Sequence, residues 1–162
     1  MDLCHLIYQS KSLVPFETSE LVDLLRRSRA YNRAHGITGI LLYTADGRFL
    51  QVLEGLRDEV RQLYHDRILQ DPRHCGWQVL SEGPSPHRLF ATWSMGFRTA
   101  QAADMRTLLG YVAPADLTLR IPRPHTPPEL TALLLDFVSR HATAPHLEDS
   151  LLPGRNGAAG QR

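Results

Sequence analysis

The segment ITGILLYTADGRFLQVLE, residues Ile37 to Glu54, reads as two strands joined by a tight turn. Ile37 to Thr44 is β-branched and apolar, Asp46-Gly47 supplies the turn, and Arg48 to Glu54 returns as a second strand. A helical pattern lies on each side of this hairpin. Upstream, Pro15 and a Thr18-Ser19 capping signal open a helix with Leu21, Leu24, Leu25 and Ser28 on one stripe, stopped at Gly36. Downstream, Arg57 to Gln70 carries Val60, Leu63, Tyr64 and Ile68 on one stripe and ends at Asp71-Pro72. Strand-like runs flank both helices: Leu3 to Gln9 before, Trp77 to Gly83 and Leu89 to Phe97 after. The order β-α-β-β-α-β-β predicts an α+β, ferredoxin-like sheet with both helices on one face.

This unit occupies residues 1–98 of 162. Beyond it the texture changes. Residues 102–112 suit a short helix, and 113–128 hold five prolines and read as an extended linker. Pro128 to His141 forms an amphipathic helix with Leu130, Leu133, Leu134 and Phe137 on one stripe. These pieces make a C-terminal helical extension over 99–141, and 142–162 reads as a disordered tail.

Composition narrows the function. Hydrophobic residues at 43% and charged residues at 22% are ordinary for a globular protein. Eighteen Lys+Arg against seventeen Asp+Glu leave a charge of +1, which argues against a nucleic-acid or anionic-membrane partner. No apolar run is long enough to span a bilayer, and MDLCHLIYQSK has no basic lead before a long apolar run. Two cysteines are too few for a disulfide framework, so a cytoplasmic protein is expected. Cys4-His5 and His74-Cys75 lack metal-ligand spacing, and adjacent strand residues point to opposite faces, so no metal is expected. Gly36-Ile37-Thr38-Gly39 leads into a strand rather than opening a helix, unlike a phosphate loop. Asp71-Pro72-Arg73-His74 reads as a helix-end cap.

The informative positions are polar residues on apolar faces. Tyr8 shares its strand face with Cys4 and Leu6, and Gln51 shares one with Phe49 and Leu53. Asn32 continues the stripe of Leu21, Leu24 and Leu25, and Arg67 and Asp71 continue that of Val60 and Leu63. Each alone has an ordinary explanation: a core tyrosine, a helix-end asparagine, an i,i+4 ion pair. Five polar groups aimed at one space between two helices and a sheet instead suit a flat, polar-edged ligand with an anionic tail.

The motifs YQS, NRAHGITGILLY (Asn32 to Tyr43), GRFLQVLEG (Gly47 to Gly55), ILQDPRH (Ile68 to His74) and WSMGF (Trp93 to Phe97) occur in order. The region 1–98 that holds them resembles the BLUF family, short stand-alone type, whose members sense blue light with non-covalently bound FAD. The resemblance implies a photoactive set of Tyr8, Gln51, Trp93, Met95 and Ser10. In that set Tyr8 donates an electron and a proton, Gln51 switches its hydrogen bonds, and Trp93 and Met95 form the W-x-M pair, with Ser10 near the tryptophan. It implies that Asn32 bonds the pyrimidine end of the flavin and that Leu24 and Ile68 sandwich the ring. Arg67 and Asp71 then hold the ribityl-phosphate side, and Met95 completes the flavin contacts. Tyr31 departs from the Asn or His that several members carry beside Asn32. FMN and riboflavin are substitutes for FAD that the same ring contacts would accept.

The resemblance further implies a photoreceptor. Because no second catalytic motif occurs and residues 99–162 are too few and too Pro-rich for a cyclase or phosphodiesterase, it is expected to lack enzymatic activity and to signal to a separate partner protein, as a homo-oligomer. The C-terminal helix would pack on the sheet's other face or pair between subunits. A small flavin-dependent oxidoreductase is the competing expectation, but no motif offers nicotinamide or substrate a route to the ring. A cofactor-free binding domain of the same topology is the third.

Overall fold

The computed structural model describes residues 2–105, 108, 132, 134–136 and 139. Strands β1 (Leu3–Ser12), β2 (Thr38–Tyr43), β3 (Arg48–Leu56), β4 (His74–Pro84) and β5 (Gly96–Thr99) form one sheet in the order β4-β1-β3-β2-β5. All neighbours are antiparallel except β2 and β5. Helix α1 (Thr18–Ala34) links β1 to β2. Helix α2 (Arg57–Leu63) continues through a π turn, Tyr64–Ile68, towards β4. The expected ferredoxin-like α+β arrangement is the observed one.

Local chemistry sets the boundaries. Helix α1 is capped one residue earlier than the Thr18-Ser19 signal suggests: Glu17 is the cap, and Glu20 Oε2 accepts from the Glu17 N–H at 2.8 Å. At the other end Gly36 takes φ +61°, and the Ile37 N–H returns to the Asn32 carbonyl at 2.9 Å. Gly39 has a separate reason to be glycine, since a Cβ there would collide with the Val52 carbonyl of β3.

The second helix is shorter and wider than its stripe predicts. The Leu69 N–H bonds the Tyr64 carbonyl at 2.9 Å, five residues back, which defines the π turn. Asp71 therefore lies off the helix altogether. Strands β1 and β4 run longer than predicted, because β1 pairs with β3 out to Lys11–Arg48 and with β4 out to Ser12–His74.

The largest departure is the last strand. Leu89 to Met95 is loop, and only Gly96–Thr99 is strand. The Leu89 and Phe90 N–H groups donate to the buried Glu54 carboxylate at 2.7 and 3.0 Å, and the Trp93 N–H turns back to the Phe90 carbonyl at 3.0 Å. With no strand there, alternation does not place Trp93 and Met95 on one face.

Two cores result. On the helix side Leu6, Leu21, Leu25, Leu53 and Val60 pack together, with Tyr8 and Met95 among them. On the other side Ile7, Ile40, Leu42, Leu50 and Val52 meet Phe90, Met105, Leu108 and Leu134. Residues 102–105 and 108 are helical, as are 132, 134–136 and 139. Leu134 is wholly buried, so this part of the predicted C-terminal helix covers the far face of the sheet. The predicted linker over 113–128 and tail over 142–162 lie outside the described residues. No described helix is long and apolar enough to cross a membrane.

Candidate functional site: a cavity between the helices and the sheet

Tyr8 on β1 and Gln51 on β3 are register partners, so their side chains stand side by side on the helix-facing surface. Leu41 on β2 lies across from Gln51 on its other side. Above this row, α1 contributes Leu24, Arg27, Ser28, Tyr31 and Asn32, the second helix with its following turn contributes Leu63, Arg67, Ile68 and Asp71, and β4 contributes its first residue, His74. Together with Phe49 they line a cavity of about 170 Å³.

The polar groups at its floor are specifically bonded. The Tyr8 hydroxyl donates to Gln51 Oε1. Gln51 Nε2 points to the Met95 sulfur at 3.5 Å, a weak acceptor. Asn32 is 1% exposed and donates from Nδ2 to the Ser94 carbonyl at 2.6 Å. Its Oδ1 is buried without any hydrogen-bond partner. Because the Ser94 carbonyl needs a donor, the amide orientation is settled and the open position is an acceptor.

Electrostatics keep the floor neutral. Burial, reinforced by Tyr64 and Asp71, pushes the Tyr8 phenol far above its ordinary value, so it stays protonated at any physiological pH. Burial also lowers the His74 imidazole, against the pull of Asp71. Asp71 is held below the usual carboxylate range by its hydrogen bond from Arg73, whose Nη2 lies 2.7 Å from Oδ2.

The sequence-predicted residues separate clearly. Tyr8, Leu24, Asn32, Gln51, Arg67, Ile68 and Asp71 all line the one cavity. Met95 sits behind Gln51 in the helix-side core, 2% exposed. Arg67 and Asp71 form no ion pair; Asp71 takes Arg73 instead, because the helix that would bring i and i+4 together has already ended. Trp93 lies on the opposite face, stacked on Phe90 with centroids 5.7 Å apart and packed against Gly96, where there is no room for a Cβ. Ser10 is therefore not beside the tryptophan. It faces the helix side with Phe49, its register partner, and its hydroxyl lies 3.3 Å from His74 Nδ1.

Sequence reasoning missed several contributors, His74 and Arg29 among them. His74 lines the cavity from just beyond the helix, where no periodicity announces it. Arg29 on α1 donates from Nε to the Met95 carbonyl at 3.0 Å, a contact that only the tertiary fold creates.

The site is thus a tyrosine–glutamine pair at the floor of an interhelical cavity on a ferredoxin-like sheet. The family model described as sensors of blue light using FAD matches residues 3–96. The chain belongs to this family, BLUF, whose cofactor is a flavin. It is 35% identical over 96 residues to photoactivated adenylate cyclase subunit beta of Euglena gracilis, a match covering 58% of this chain and 11% of that one. The chain thus spans about a tenth of the length of that curated relative. Its structure resembles the dark-state structure of the BLUF protein BlrB, with a TM-score of 0.62, 31% identity, and coverage of 86% of this chain and 96% of that one. It also resembles BlrP1 of Klebsiella pneumoniae solved with FMN and cyclic diGMP, with a TM-score of 0.57, 30% identity, and coverage of 85% and 34%. The residues present fit a flavin: the unsatisfied Asn32 Oδ1 on the cavity wall is the acceptor that a ring imide N–H requires.

Proposed function

We propose that this chain is a cytoplasmic blue-light photoreceptor that binds FAD non-covalently in the interhelical cavity and signals by a glutamine hydrogen-bond switch. The observation that carries this reading is the Tyr8–Gln51–Met95 arrangement. Asn32 would hold the ring edge, Leu24 and Ile68 its faces, and Arg67 and Asp71 the ribityl-phosphate side. When bound, the flavin supplies the light absorption and, once excited, a strong oxidant.

The protein's part is then a matter of two side chains. Tyr8, neutral and buried, would give up an electron to that oxidant, and the proton on its hydroxyl would move along the existing bond to Gln51 Oε1. The return of electron and proton to Tyr8 leaves Gln51 rotated or tautomerised. In the starting arrangement the Gln51 N–H faces a thioether, a weak acceptor, and turning the amide exchanges the Oε1 that accepts from Tyr8 for an N–H. Exchanging such bonds in a dry site involves about 1 kcal/mol each. That is enough to tilt a two-state element and small enough for thermal return in the dark.

The segment best placed to carry the change outward is Trp93 to Met95. Met95 is touched by Gln51 through its sulfur and by Arg29 through its carbonyl, and Ser94 is held by Asn32. The Trp93 carbonyl accepts from the Gly39 N–H at 3.0 Å, while its ring packs in the far-face core with Phe90. Output would pass through that core to the C-terminal segment and on to a separate signalling protein, with the chain acting by binding, as a homo-oligomer, rather than by catalysis.

Tyr8→Phe tests the reading. Flavin should remain bound with a normal dark spectrum, and the light-induced red shift should disappear. A photocycle that survives the substitution would remove Tyr8 from the donor role.

A further inference from the structure

Two helices meet at one end of the cavity through a chain of four side chains. Glu59 Oε2 on α2 lies 2.6 Å from His35 Nδ1 at the end of α1. The His35 ring stacks on Tyr31, with centroids 4.0 Å apart and planes 20° from parallel. The Arg67 guanidinium lies over the Tyr31 ring, 4.2 Å from its centroid. Two planar groups this close to one ring centre cannot share a face, so Tyr31 is held between histidine and arginine.

Tyr31 and Arg67 both line the cavity. Arg67 has no carboxylate partner among the described residues: Asp71 is taken by Arg73, Asp23 by Arg26 and Arg27, and Glu59 by His35. A guanidinium seated on an aromatic face keeps its N–H edge free, and that edge suits the oxygens of a phosphate. Among the described residues, nothing else on the cavity wall is both cationic and unpaired, since Arg27 is engaged with Asp23.

We propose that Tyr31 is a specificity-determining residue for the charged end of the ligand. Its ring holds Arg67 where the guanidinium meets a phosphate, so the chain prefers a phosphorylated flavin, FMN or FAD, over riboflavin. The inference rests on the flavin reading above but concerns discrimination among flavins, not photochemistry.

The test is titration of the full-length apoprotein with riboflavin and with FMN, followed by quenching of flavin fluorescence. Wild type should bind FMN more tightly than riboflavin, by a margin that shrinks at high salt. Tyr31→Leu should lower the FMN-to-riboflavin affinity ratio about two- to fivefold, while Tyr31→Phe, which keeps the aromatic face, preserves it. In an Arg67→Met background Tyr31→Leu should change the ratio no further. An unchanged ratio in Tyr31→Leu, or an equal loss in the Arg67→Met background, overturns the inference even with flavin bound. If Tyr31→Leu does not fold, Tyr31→Met, which keeps apolar bulk without an aromatic face, takes its place: a lowered ratio supports the inference and an unchanged one overturns it. Failure of wild type to bind either flavin would instead overturn the flavin reading itself.

Discussion

Asn32 donates to the Ser94 carbonyl and leaves Oδ1 buried without a donor, so one amide both anchors the Trp93–Met95 segment and waits for a ligand. Asn32→Ala should therefore weaken flavin binding by about 1–3 kcal/mol, the cost of leaving a buried polar group unmatched. A fluorescence titration showing unchanged affinity would remove Asn32 from the site. His74 makes the stability of the fold depend on pH. An unfolded histidine takes up a proton near pH 6.5, whereas burial delays that uptake in the folded chain to lower pH. Between those values the unfolded state binds more protons. The His74 contribution to stability is thus complete above the ordinary value and is lost as pH falls below it. His74→Phe, which keeps an aromatic ring against Phe16 and Phe49, should show a smaller drop in urea midpoint between about pH 7.5 and about pH 5.5. Equal drops in both proteins would contradict this. Tyr8, Asn32 and Gln51 were legible because each is a polar residue on an otherwise apolar stripe. His74 was not, because it sits past the helix, where no period exposes the mismatch.

The hairpin and α1 could be read from sequence because their signals are local: an Asp-Gly turn, alternating strands, a glycine that must take positive φ. The loop before β5 could not. Leu89 to Phe97 looks like a strand, and what prevents it is a carboxylate thirty-five positions upstream of Leu89 that binds two of its N–H groups. Arg88 strengthens the clasp, donating to the Glu54 carbonyl, the Gly36 carbonyl and the Thr38 hydroxyl at 2.9, 2.7 and 2.8 Å. Glu54→Ala should cost about 2–4 kcal/mol, since two donors lose their acceptor at once. Urea unfolding checks it, and a loss of less than about 0.5 kcal/mol, the size of an ordinary surface change, would show that the clasp does not hold the loop. The π turn was equally hidden. It preserves the apolar stripe through Tyr64 and ends the helix before Asp71, so an i,i+4 reading of Arg67 and Asp71 had no helix to rest on.

Across the whole molecule, one short segment joins the two faces of the sheet. Met95 belongs to the helix-side core and Trp93 packs against the far one, so a change at Gln51 has a direct path through the sheet edge to the surface covered by Leu134. The apolar stripe of the C-terminal helix was visible in sequence; the sheet face that Leu134 covers was fixed only by the tertiary packing. The deciding question is whether light moves the Tyr8–Gln51 pair while the flavin stays oxidised. The most direct measurement is the visible absorption spectrum of the purified protein in darkness and then under blue light. A structured flavin band should shift slightly to the red on illumination and recover in the dark. A band that bleaches without recovery, or no flavin band even after reconstitution with FAD, would contradict it.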